Sequence, residues 1–182
     1  MAKGGTFELD MCKKWSRWWS LGLSDKVFRK NRRGGRGDMT FREPEGKPLI
    51  DGWNVEFKTG YSRQRKDKDK KRIFNWCALD PIDGKGKETQ LQTFWDQCDR
   101  DAKATNREPI LVFRRPFMSV CICMRQSVWR AIRIKCGPPK GQYLIANVFG
   151  ETLVIFALDD FFQWAWPLDI QDICKPKLRI IQ

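Results

Sequence analysis

The segment GWNVEFKTGYS, residues 52–62, places a carboxylate two positions before an ammonium, Glu56 and Lys58. Trp53, Val55 and Phe57 fall on one parity, and Asn54, Glu56 and Lys58 fall on the other. Successive side chains of a β-strand point to opposite faces, so this alternation predicts a strand with one apolar and one polar face. On the polar face Glu56 offers hard oxygen to a divalent cation, Mg2+ or Mn2+, and Lys58 can orient a water or offset charge developing on phosphorus. The chemistry that suits this pair is phosphodiester hydrolysis, which needs a second carboxylate close to the first.

Asp38 and Asp51 compete for that place. If GDMTF pairs antiparallel with NVEFK, setting Asp38 opposite Glu56 centres the connection on Lys47, inside REPEGKP, which reads as a hairpin turn. Asp51 is five residues from Glu56, so a regular strand points the two to opposite faces, although a bulge at Gly52 would change that. Asp38 is therefore preferred. Glu8 precedes Cys12, Trp15 and Trp19 at helical spacing and could complete a metal site from a first helix. An acid in a first turn also suits the helix dipole.

The wider composition narrows the partner. Lys and Arg number 35 against 22 Asp and Glu, a formal charge of +13, which points to a polyanion, most commonly nucleic acid. Arg32, Arg33 and Arg36 flank Gly34, Gly35 and Gly37 just before Asp38, where they would hold phosphates at the mouth of the site. RQRKDKDKKR, residues 63–72, is too charged for a core. Its Arg63, Arg65, Lys66, Lys68, Lys70, Lys71 and Arg72 either track a second strand or duplex arm or form a plain solvated loop. Arg114, with Arg115, would extend the basic surface.

The chain has no histidine, which removes His-base nucleases, His-built zinc sites, Ser-His-Asp triads and Cys-His pairs. Seven cysteines without a CxxC pair, and a start lacking an apolar signal region, read as reduced thiols in a cytoplasmic protein. Cys121 and Cys123 share one face of SVCICM and are expected in the core. No apolar run approaches the roughly 20 residues of a spanning helix, so no membrane is expected.

To position Glu56 and Lys58 the chain must build a sheet with helices against it. Helical periodicity predicts a first helix over about 5–20 and a second over about 87–105, the latter with Leu91, Phe94, Trp95, Cys98 and Ala102 on one side. Strands are expected at ILVFRR, 118–124, 143–148 and 152–156, a short helix at LDDFFQWAW and a loop at KCGPPKG. The order gives an α/β fold with a central mixed sheet flanked by helices, as one domain over 1–182. Most of the nine tryptophans should be core, although Trp15, Trp18 and Trp19 could line a dimer seam.

GGRGD followed by a hairpin and VEFK resembles the PD-(D/E)xK nuclease superfamily, closest to its Holliday-junction-resolvase-like and phage endonuclease branch. The likeness covers about residues 5–115, leaving about 116–182 as a strand and helix extension. "GD" stands where the family usually has "PD". The resemblance implies a restriction-endonuclease-like core, Asp38 and Glu56 as metal ligands, Lys58 as catalytic lysine and Glu8 as a supporting carboxylate. It also implies a polar residue on the following helix, for which Gln97 is the candidate and Gln90 the weaker one. The expected activity is metal-dependent hydrolysis of DNA, branched or junction DNA in particular, by a homodimer that a phage would place in its host's cytoplasm. A bare Glu56 and Lys58 would read as a solvated strand face; the ordered context makes them a site. The alternatives are a non-catalytic basic nucleic-acid-binding protein and an enzyme acting on RNA.

Overall fold

Phe7, Met11, Trp15 and Trp19 recur every four residues and are all buried, which is the apolar stripe of helix α1 (Lys3–Trp19). In this computed structural model, residues 3–31, 36–59, 90–115, 118–148 and 150–175 are described. The helix ends in a left-handed turn at Leu21 (φ 55°) and Gly22 (φ 91°), where the Gly22 N–H donates to Arg17 O at 2.7 Å. Strand β1 (Phe28–Lys30) then pairs antiparallel with β2 (Met39–Phe41) in a small separate sheet.

The predicted hairpin after β2 does not form. REPEGKP instead enters a 3-10 turn at Pro44–Gly46 and helix α2 (Lys47–Gly52), each with proline near its start. Proline there forfeits only an N–H that a helix start leaves unpaired anyway, so residues read as a turn signal begin a helix.

The main sheet has the order β3-β4-β5-β7-β6. Strand β3 (Trp53–Thr59) lies parallel to β4 (Glu108–Arg114), with Glu56 opposite Leu111. Helix α3 (Gln90–Lys103) falls in the connection, because parallel neighbours require a crossover. Strands β5 (Val120–Arg125), β6 (Tyr143–Val148) and β7 (Glu151–Ala157) complete the sheet antiparallel. Helix α4 (Gln126–Cys136), which the sequence reading omits, follows β5 directly with no turn residue to mark it. Helices α5 (Leu158–Trp164) and α6 (Pro167–Cys174) end the described chain.

The alternation in β3 sorts two layers. Its apolar parity meets α1, with Trp53 edge-on to Trp15 and Phe57 edge-on to Phe7, each at 6.4 Å between ring centroids. Helices α4, α5 and α6 join that same core. On the other face Trp95 and Cys98 of α3 pack with Leu111, Phe113, Cys123 and Leu153. This is an α/β fold with a mixed sheet between helices, consistent with a restriction-endonuclease-like core.

Helix α3 is clamped to the sheet by Arg125, whose guanidinium reaches Glu151 at 2.7 Å, Glu108 at 3.3 Å and also Asp99. The dimer-seam reading of the tryptophans is corrected. Trp15 and Trp19 are buried, and Trp18 stacks on Phe162 at 4.8 Å while donating to Ala165 O at 2.9 Å, so the cluster joins α1 to α5 within the chain. Cys123 is buried and Cys121 half-buried beside it. Among the described residues no helix is long and apolar enough to cross a membrane.

Candidate active site

Among the described residues strand β3 lies at the edge of the main sheet, and Asp38 docks along its outer side. The Asp38 N–H donates to Val55 O at 2.9 Å, and the Phe57 N–H donates to Asp38 Oδ2 at 2.8 Å. Bonds to the residues either side of Glu56 are the pattern of a parallel neighbour, with a carboxylate oxygen in place of the main-chain carbonyl. That carbonyl turns away to accept from the Asn31 N–H at 2.8 Å. The antiparallel pairing expected for GDMTF and NVEFK is thus corrected: β2 pairs with β1, and α2 reverses the chain before β3. Asp38 still comes to lie beside Glu56.

Gly37 permits this approach. Its φ is 74°, and a Cβ built there would stand 2.7 Å from Asn54 Oδ1 and 3.2 Å from Val55 O. Gly37→Ala should therefore cost about 1–3 kcal/mol of stability and displace Asp38, read by denaturant unfolding and by weakened Mn2+ binding. Asn31, which the sequence reading passes over, secures the same turn by donating Nδ2 to Gly37 O at 3.1 Å.

Glu56 is 3% exposed on the face covered by α3. Its Oε1 accepts from Lys58 Nζ at 2.5 Å and from Gln97 Nε2 at 3.0 Å. Lys58 Nζ also lies 5.8 Å from the centre of the Phe94 ring. Burial raises the Glu56 carboxyl above its usual range, the nearby Asp38 charge raises it further, and Lys58 draws it back. Burial raises Asp38 as well, against the Phe57 N–H and Lys58, with Glu8 adding to the rise. Two neighbouring carboxylates raised by burial are an arrangement whose ionised form a bound cation would favour.

Glu8 on α1 forms an ion pair with Lys30 on β1. Lys30, absent from the sequence reading, is held above the ordinary lysine range by that carboxylate. The Cys12 thiol beneath them is pushed up to about 12 by burial, with Asp38 and Glu8 adding to it, and so stays a neutral core group. Arg36 is exposed next to Gly37. Arg114 is exposed at the end of β4, its guanidinium 4.8 Å from the centre of the Phe7 ring. Asp51 is on α2, exposed and ion-paired with Lys47, apart from this group. Gln90 opens α3. Arg32, Arg33 and the run 63–72 lie outside the described residues.

Among the described residues no set of three or more His, Cys, Asp and Glu converges. Two carboxylates with only oxygen to offer fit a hard cation that keeps several of its waters, as Mg2+ does. The buried Asn54 amide, without a hydrogen-bond partner among the described residues and on the same strand parity, is consistent with such a hydrated occupant.

A buried acid, a lysine on its carboxylate and an aspartate docked alongside, set at the edge of a helix-flanked mixed sheet, are equipment suited to breaking phosphate esters. The family model described as "Phage putative PDDEXK endonuclease" matches residues 1–165, and the chain belongs to this phage family of PD-(D/E)xK nucleases. The match runs well past residue 115, taking in β5, α4, β6, β7 and α5. No curated protein and no solved structure matches the chain.

Proposed function

We propose that this nuclease is a divalent-metal-dependent endonuclease that hydrolyses DNA phosphodiester bonds, branched or junction DNA above all. Asp38 and Glu56 would hold Mg2+ or Mn2+. The observation that carries the reading is the seating of Asp38 beside Glu56 with the Lys58 ammonium 2.5 Å from the Glu56 carboxylate. When bound, the cation supplies charge neutralisation of the phosphate and a lowered pKa for the attacking water.

The chain's own groups do the rest. Asp38 and Glu56 present oxygen from two segments fixed to one another by the Asp38 N–H on Val55 O and the Phe57 N–H on the Asp38 carboxylate, so the donors are arranged before substrate arrives. Lys58 orients the attacking water and offsets charge that develops on the phosphorane. Gln97 holds the Glu56 carboxylate from α3. Glu8, balanced by Lys30, supports the site from α1. The charge of +13 supports a polyanionic substrate, with the arginines near Asp38 and the run 63–72 as the groups that grip it. Cutting two strands symmetrically needs two sites, which favours a twofold homodimer of one-domain chains acting in the host cytoplasm.

A substrate panel tests this. The purified protein with Mg2+ should cut a four-way DNA junction in preference to linear duplex, and a chelator should stop it. Cutting confined to RNA, or equal cutting of linear duplex, would refute the substrate assignment. Binding without cutting of any member would favour the non-catalytic alternative.

A further inference from the structure

Among the described residues, none takes up the side-chain amide of Asn54. It stands on β3 two residues before Glu56, on the parity shared by Glu56 and Lys58, and is 1% exposed. Among the described residues neither Oδ1 nor Nδ2 has a hydrogen-bond partner. A buried amide in that state carries its full desolvation cost, whereas an aliphatic chain of similar volume would pack without it. Trp53, Val55 and Phe57 show that β3 takes apolar residues readily.

The position of this amide is informative. It is two residues from Glu56 along one backbone and presses on Gly37, the residue before Asp38, where a Cβ would stand 2.7 Å from Oδ1. It therefore touches both segments that carry the site's carboxylates. A local rule broken with no return to the fold marks a group kept for function.

We propose that Asn54 is a positioning residue of the metal site, its amide hydrogen-bonding the water shell of a divalent cation held by Asp38 and Glu56. The inference rests on the metal-dependent reading above. A cation bound by two carboxylates retains several waters, and each water needs acceptors beyond the metal. An amide offers both acceptors and donors, so it can meet such waters whichever way they turn. Groups that hydrogen-bond the ligands or waters of a metal commonly govern affinity by about 10-fold to 100-fold.

The test is Mn2+ titration by calorimetry on the wild type, Asn54→Leu, Asn54→Ala and Glu56→Gln, with a melt in the absence of metal to show which variants are folded. Either folded Asn54 variant should bind Mn2+ about tenfold or more weakly than the wild type. Affinity within about threefold of the wild type in a folded variant overturns the proposal. Failure of both variants to fold also overturns it, because the amide would then serve the fold. A wild type that does not bind Mn2+, or Glu56→Gln binding as the wild type does, sinks the metal-dependent reading itself.

Discussion

Glu56→Ala should lower cutting by about 10^3-fold or more while leaving DNA affinity nearly unchanged, measured by single-turnover cleavage alongside a binding titration. Glu56 is buried, with its carboxylate facing Lys58 and Gln97, so its loss withdraws one of two proposed metal ligands without touching the exposed Arg36 and Arg114 that would grip phosphate. Lost binding together with lost cutting would sink this division of labour. The raised carboxyl adds a second readout. A folded state that binds the Glu56 proton more tightly than the unfolded chain is penalised above the folded pKa, and the penalty fades as pH falls through it. Glu56→Gln should therefore melt higher than the wild type near neutral pH without metal, with the difference shrinking on acidification. Cutting should fail over the same descent, since protons then compete with the cation for Asp38 and Glu56.

Lys58→Met should reduce the rate of the chemical step by about 10^2-fold to 10^4-fold with little change in substrate affinity. The ammonium lies against Glu56 Oε1 and beside the Phe94 ring, a place defined for a compact charge on a flexible stem. Arginine carries a broad planar fork in place of that point charge, so Lys58→Arg should recover only part of the rate. Removing Lys58 also removes the charge that draws the Glu56 carboxyl down, so the acidic limb of the pH–rate profile should move to higher pH. An unmoved limb with a normal rate would show that Lys58 serves packing alone.

The alternation of residues 53–58 could be read because one face of β3 meets α1 while the other carries the polar groups, and period-two patterning records that difference. Helices α1 and α3 were equally legible from their stripes. The direction of the Asp38 segment was not, since parallel and antiparallel neighbours impose the same parity on a strand, and only the unforeseen α2 settles which way the chain returns. Lys30 and Asn31 escaped notice because they matter through contacts with Glu8 and Gly37 that sequence spacing does not encode. Asn54 was visible as a polar residue on the right parity, yet nothing in its neighbours showed that its amide would be buried with no partner among the described residues. The tryptophan cluster left core and dimer seam both open because an apolar stripe looks the same whether it meets another subunit or α5.

The docking of Asp38 has a consequence for association as well as for chemistry. A sheet's outermost strand exposes a row of amide and carbonyl groups onto which a strand from another molecule can zip. On β3 the Val55 carbonyl and the Phe57 amide are already occupied by Asp38, one by its backbone and the other by its side chain. The carboxylate proposed to hold the metal is thus also a stopper on the edge that β3 presents among the described residues, occupying the two groups onto which a foreign strand would otherwise pair beside Glu56.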